Sequence, residues 1–217
     1  DGTVVNESPL AVVIAPLDTP LLVQDLLTLF LVTMMGGLIY KVAYQSLAEQ
    51  NVLVLLIVSV GVHFALTGLG LLFFGAEGFR TPIFWDFSFN VGPLNITGQS
   101  IIIIASGLAL SGLLWLFFGK ALLATAVNPL GARIVGISAT GAGKLSFTIA
   151  AFIGGLSGLL VGPTTTIFYD SGFLIGLKGF VAAVIAGLAS YPLAIVGAIA
   201  VGTLESFSSF WASAYKE

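Results

Sequence analysis

Cysteine is absent, and histidine occurs once, as His63, in a chain of 217 residues. The first absence removes disulfides, thiolate metal sites and thiolate nucleophiles. The second removes any multi-histidine metal centre. Charge is also scarce. Only 8% of the residues are Asp, Glu, Lys or Arg, and 58% are hydrophobic. A soluble domain carries roughly 25% charge, so this chain cannot wet its own exterior. The solvent it is written for is a bilayer, and its class is integral membrane protein. The 7 Lys and Arg are scattered singly, which leaves no basic stripe for nucleic acid. A net charge of -3 carries little information about partners. With the one histidine inside an apolar run, a Ser-His-Asp arrangement is not expected either. We expect no catalytic, cofactor-binding or metal-ligating residue in this chain.

What the chain has is long apolar runs. About 20 residues cross the hydrocarbon core as a helix, and four runs meet that length well: Leu21 to Tyr40, Val52 to Gly75, Ser100 to Gly119 and Leu145 to Gly162. A fifth region, Phe173 to Trp211, has room for two crossings but is interrupted by 187-GLASYP-192. Pro192 lacks an amide hydrogen, and Gly187 and Ser190 favour a turn. This predicts two short helices joined inside or near the membrane, as a re-entrant hairpin or as two short crossings. Stretches such as 101-IIIIA-105 and 53-LVLLIV-58 do not alternate, as the strands of a membrane barrel would. The expected fold is therefore an all-α polytopic bundle, one transmembrane domain over residues 1–217.

Between the runs, 83-IFWDFSFN-90 alternates before a turn at Gly92-Pro93 and continues as 94-LNIT-97. Two readings stand: a short β-hairpin in an outer loop, or an interfacial aromatic belt. Lys41, Lys120, Arg133 and Lys144 fall on one side of the spans, and by the positive-inside bias that side is cytoplasmic. Arg80 is the only basic residue of the outer stretches, which are residues 1–20, 76–99 and 163–172. Gly154, Gly158 and Gly162, and again Ala194, Ala198 and Gly202, repeat small residues at spacing four and predict close helix contacts.

Two local patterns invite functional readings. In 138-SATGAGKLS-146, Gly143 and Lys144 match a phosphate-cradling loop, but Ser138 and Leu145 occupy the places of its first glycine and its hydroxyl residue. We read the stretch as a relaxed junction between a loop and a span. Polar groups inside the membrane are costly and therefore candidates for function. Gln24 and Asp25 lie near the outer end of the first span, where water reaches them. His63 is either a packed, hydrogen-bonded side chain or a proton relay. Glu205 either lines a wet path or caps a helix near the interface. The patterns at Asn6-Glu7-Ser8 and Asn95-Ile96-Thr97 match glycosylation sequons only at the level of chance. Residues 1–20 are not a signal peptide. The start at Asp1 and the abrupt end at Tyr215-Lys216-Glu217 suggest a piece of something longer.

The stretches 119-GKALLATAVNPLGARIVGI-137 and 172-GFLIGLKGFVAAVIAGLASYPLAIVGAIAVGTLES-206 resemble the permease subunits of ABC importers for branched-chain amino acids. Gly176, Lys178, Phe180, Ala182, Gly187, Ser190 and Pro192 fit that family's signature, while Ala186, Ala189 and Leu193 replace its glycines. Residues 37–78 are similar to another stretch of the family but have Lys41, Gln45 and Gln50 where arginine is usual. The resemblance covers about residues 30–217. The family's Asn-Phe-Ala-His-Gly motif is absent, as is its last helix, so the resemblance implies a fragment or a divergent subunit that has lost those parts, of which we expect the fragment.

The resemblance implies a second permease subunit, as homodimer or heterodimer, with cytoplasmic ATPase subunits and an external solute-binding protein. ATP would sit on the partner and no cofactor on this chain, in a bacterial inner membrane. Residues 119–144 would be the cytoplasmic coupling loop. Its short helix 121-ALLATAV-127, ended by 128-NPLG-131, would dock on an ATPase, with Asn128, Gly131, Arg133, Gly136 and Ile137 as coupling residues. A zwitterion needs polar groups along its way and apolar walls for its side chain. The candidates are Thr164, Thr165 and Thr166, then Ser190, Tyr191 and Pro192 at the interrupted turn, where a broken helix bares backbone groups, and Glu205. The solute would be a branched-chain amino acid or a related amide, urea or organic acid. Two alternatives stand beside this reading: a secondary transporter or channel working without an ATPase, and an assembly subunit packed against a functional permease.

Overall fold

A computed structural model describes residues 20–48, 50–91, 94–117, 139–187 and 191–211. They form six α-helices and one hairpin: α1 (Leu21–Ile39), α2 (Val52–Phe74), β1 (Ser88–Val91), β2 (Leu94–Thr97), α3 (Gly98–Phe117), α4 (Ala139–Val161), α5 (Ser171–Ile185) and α6 (Tyr191–Trp211). Among the described residues five helical stretches are long and apolar enough to cross a membrane: Leu21–Leu47, Leu53–Phe74, Gly98–Leu116, Thr140–Val161 and Pro192–Trp211. The chain is thus a polytopic helical membrane protein. It divides into two compact units, one from Asp1–Ile103 and Ala124–Asp170, the other from Ile104–Leu123 and Ser171–Glu217.

In the first unit α1 and α4 pack antiparallel. Gly143 lies under the Tyr40 ring, Gly36 against Ala151 and the Phe147 carbonyl, and Gly155 against Leu29 and Val32. The contacting residues of α4 recur every four positions, one helical face. That face is not the expected one, since a Cβ placed on Gly154 or Gly158 meets nothing within 4 Å. Spacing identifies small residues, but the orientation of the helix decides which of them are covered. Gly162 is tight as expected, with Thr81 Oγ1 2.6 Å from where its Cβ would be.

The helix α4 begins at Ala139, six residues before the expected start of its span. Gly143 and Lys144 are therefore helical rather than part of a relaxed junction. The reason is tertiary, because a Cβ at Gly143 would come 2.5 Å from Tyr40 Oη. The contact needs glycine there, and packing overrides its low helix propensity. Residues 119–138, the remainder of the expected coupling loop, lie outside the described residues.

Beyond Ile39 the α1 helix widens into a π turn at Tyr40–Tyr44 and tightens into a 3-10 turn at Gln45–Leu47. Both tyrosines are buried. Their rings lie 5.4 and 4.5 Å from Phe147, and Tyr44 Oη donates to Ser59 Oγ of α2 at 2.8 Å. The α2 helix ends at Gly75, whose φ of +76° suits glycine alone, and its N–H bonds the Leu71 carbonyl at 2.9 Å.

The hairpin is present, antiparallel, with Ser88 opposite Thr97, Phe89 opposite Ile96 and Asn90 opposite Asn95. Its base is closed by the Gly98 N–H on the Phe87 carbonyl at 2.6 Å. Trp85 and Phe87 stack 5.8 Å apart and stay half exposed.

In the second unit α5 and α6 run antiparallel, with Gly197 against the Ala182 carbonyl. The expected Gly202 has nothing within 4 Å of its Cβ position. The chain turns after α5 through Gly187, with φ of +73° and its N–H on the Val184 carbonyl at 2.9 Å. The pair is unequal rather than two short helices. The 15 residues of α5 rise about 22 Å and the 21 of α6 about 32 Å, against a hydrocarbon core of about 30 Å. Pro192 starts α6 instead of breaking it, since the first turn has no intrahelical partner for the missing N–H.

Candidate functional site

Lys178 and Glu205 are the only charged residues of α5 and α6. Antiparallel packing brings them together, and Lys178 Nζ donates to Glu205 Oε1 at 2.5 Å. Both side chains are 54% exposed. One turn to either side of Lys178 lie Leu174 and Val181, both exposed, and Leu204 and Phe207 flank Glu205. An ion pair therefore interrupts an apolar helical surface. The expectation for Glu205 took in neither its partner nor the bond. The readable signal was one acid and one base, each alone in an apolar run, on opposite sides of a turn at Gly187.

The candidate threonines sit where α4 ends. Thr164 Oγ1 donates to the Val161 carbonyl at 2.7 Å. The same carbonyl accepts the N–H groups of Thr164 at 2.9 Å and Thr165 at 3.2 Å. The Thr164 carbonyl accepts from Arg80 Nη2 at 3.0 Å. Thr164 thus caps α4, while Thr165 and Thr166 are exposed. Next to them Phe79 and Ile167 exchange backbone bonds of 2.8 and 2.9 Å, which fastens the stretch after α2 to the stretch after α4. Of the basic residues used to assign the sides, Lys144 lies by Gly37 and Arg80 by Thr164, at the opposite end of the α1–α4 pair, while Lys120 and Arg133 lie outside the described residues.

Gln99 escaped the sequence reading. It is 2% exposed, its Nε2 donates to the Leu160 carbonyl at 2.8 Å, and its Oε1 accepts from the Phe84 N–H at 3.3 Å. One side chain thereby holds the outer loop, the start of α3 and the end of α4. No spacing rule marks such a residue, since its partners are backbone groups distant in sequence. Asp25, expected to be wetted, has Oδ2 buried without a hydrogen-bond partner among the described residues. The His63 ring lies 5.5 Å from Phe64.

The candidate path residues fall in both units. Thr164 and Thr165 belong to the first, whereas Tyr191 and Pro192 in the first turn of α6, and Glu205, belong to the second. Ser190 and all five candidate coupling residues, Asn128, Gly131, Arg133, Gly136 and Ile137, lie outside the described residues. Among the described residues no group of three or more His, Cys, Asp or Glu is placed to hold a metal.

The model of a family described as branched-chain amino acid transport system / permease component matches residues 9–217. The chain belongs to this family. It is 29% identical over 194 residues to the high-affinity branched-chain amino acid transport system permease protein LivH of Salmonella typhimurium, a match covering 84% of this chain and 63% of that protein. The Escherichia coli K12 protein LivH gives the same identity and coverage. The corresponding permease protein BraD of Pseudomonas aeruginosa is 28% identical over 185 residues, covering 80% of this chain and 60% of BraD. The chain thus spans less than two thirds of the length of these relatives. No solved structure matches it. It is thus a multi-pass membrane protein of a permease family, with five helices of spanning length among the described residues.

Proposed function

We propose that this chain is the membrane-spanning permease part of an ATP-driven importer that moves branched-chain amino acids, or a small polar solute close to them, across a bacterial inner membrane. The observation that carries this reading is the family match along residues 9–217. The apolar helices fit it by length, and the names of LivH and BraD supply the solute class. In this reading a second permease subunit completes the pathway and an external binding protein delivers the solute. Cytoplasmic ATPase subunits hold ATP, and residues 119–138, together with the first turn of α4, receive their motion. The polar groups at Thr164, Thr165, Ser190, Tyr191, Pro192 and Glu205 serve the path.

The test is co-purification followed by transport. The intact permease should bring down an ATPase, and vesicles holding the assembly should accumulate leucine only when ATP and the binding protein are both supplied. Uptake that persists without ATPase subunits would replace this reading with a secondary transporter or a channel.

A further inference from the structure

We propose that Lys178 and Glu205 form a polarity-reading pair that takes the zwitterionic head of a free amino acid, the carboxylate on Lys178 and the ammonium on Glu205. This rests on the importer reading above and adds the place and the charge pattern of recognition.

The first support is the setting. A charged side chain facing lipid near the middle of an apolar helix is costly. Lys178 is the eighth residue of the 15 in α5, and both members of the pair are about half exposed on the chain itself. Their face must therefore meet water or protein rather than acyl chains.

The second support is stoichiometry. The observed bond joins Nζ to Oε1 alone. An ammonium carries three donors and a carboxylate about four acceptor sites, so each partner can receive a second charged group without losing its first. With no solute the two charges satisfy one another, which avoids an unpaired charge within the apolar surface. With a zwitterion each member of the pair adds one charge-assisted contact to the bond it already makes, and the site stays neutral in both states.

The third support is the surroundings. Gly202, one turn before Glu205, and Gly179, beside Lys178, would each place a Cβ in open space. Leu174 and Val181 offer an exposed aliphatic wall on the Lys178 side. A small head group bearing both signs, with a branched aliphatic tail, fits that combination. Neutral amides and urea lack both charges, and simple organic acids satisfy only Lys178, so the pair selects within the solute classes proposed above.

These 217 residues hold no cysteine, so a thiol introduced among them is read directly from the labelled peptide that carries it. Val181→Cys and Gly202→Cys place it beside the intact pair in the assembled importer. Both thiols should react with small, charged, water-soluble thiosulfonates. Leucine at ten times its half-saturating concentration should slow that reaction about tenfold, while isoamylamine and 4-methylpentanoate, each carrying one of the two charges, should not. In parallel, Lys178→Met and Glu205→Gln should each lower leucine uptake about tenfold. The exchange Lys178→Glu with Glu205→Lys keeps an interhelical pair but inverts it, and should leave uptake low at normal membrane abundance.

Thiols inert to the reagents, thiols that react but are not protected by leucine, or full uptake by the exchanged pair would each overturn the proposal. The last outcome would reduce the pair to a clamp between α5 and α6, and inert thiols would match a face covered by a second copy. Wild-type vesicles that take up no leucine would remove the importer reading itself, which separates that failure from the pair's own.

Discussion

Gly36 of α1 faces Ala151 of α4 so closely that a Cβ on Gly36 would overlap the Ala151 Cβ and stand 2.6 Å from the Phe147 carbonyl oxygen. Backbone cannot yield as a flexible side chain can, and within lipid such close packing is itself the drive for helix association. Gly36→Val is expected to cost about 1–3 kcal/mol through overpacking. It should read as a lower melting temperature in detergent by fluorescence-detected gel filtration. Gly154→Ala, with open space at its Cβ, is expected to stay within about 0.5 kcal/mol of wild type. Equal losses at the two positions would contradict the packing face assigned to α4.

Gln99→Leu should be the most damaging of the polar changes. It strands the Phe84 N–H, and it leaves the Leu160 carbonyl without its donor at a site that is 2% exposed. Leaving buried backbone groups unpaired costs about 1–3 kcal/mol. Loosening of the outer loop should show as faster proteolysis within residues 76–97, with the membrane helices still protected. Unchanged proteolysis would show that other contacts suffice to hold the loop.

Tyr44→Phe deletes one hydrogen bond and keeps the ring on Phe147. Ser59 retains its own bond to the Leu55 carbonyl at 2.8 Å. The expected loss is about 0.6 kcal/mol, the average for side-chain bonds between membrane helices. Tyr44→Ala removes the ring as well and should cost several times more in the same thermal assay. Similar losses for the two variants would place the contribution of Tyr44 in its hydroxyl instead.

Arg133→Ala tests the connection read as the coupling loop. Assembly with the ATPase should survive, while leucine uptake per ATP hydrolysed should fall about tenfold or more, as when binding energy no longer reaches the step it drives. The measurement is the ratio of uptake to phosphate release in the same vesicles. An unchanged ratio would return the segment to the role of an ordinary connector.

Much of this architecture was readable because a bilayer imposes simple demands. Four of the five helices of spanning length follow from runs of about 20 apolar residues, whereas the full length of α6 differs from the two short helices expected there. The hairpin at Ser88–Thr97 follows from alternation around Gly92-Pro93, and the turn after α5 follows from Gly187. These features depend on neighbours along the chain. The family was readable for the same reason, since its signature is a local string around Lys178 and Pro192.

Other features depend on neighbours in space. Which small residues are covered, Gly155 and not Gly154, or Gly197 and not Gly202, depends on the rotation of each helix about its axis. Spacing alone does not contain that angle. The early start of α4 at Ala139 required the Tyr40 ring, and the role of Gln99 required two backbone partners from distant segments. The sequence by itself determined that the chain lives in a membrane, where it crosses and where it bends, because hydropathy and backbone permissiveness belong to each residue. Only the tertiary structure decided that Lys178 and Glu205 meet, because a charge pair is a property of two positions brought within 2.5 Å, and a separation of 27 positions along the chain does not state that distance.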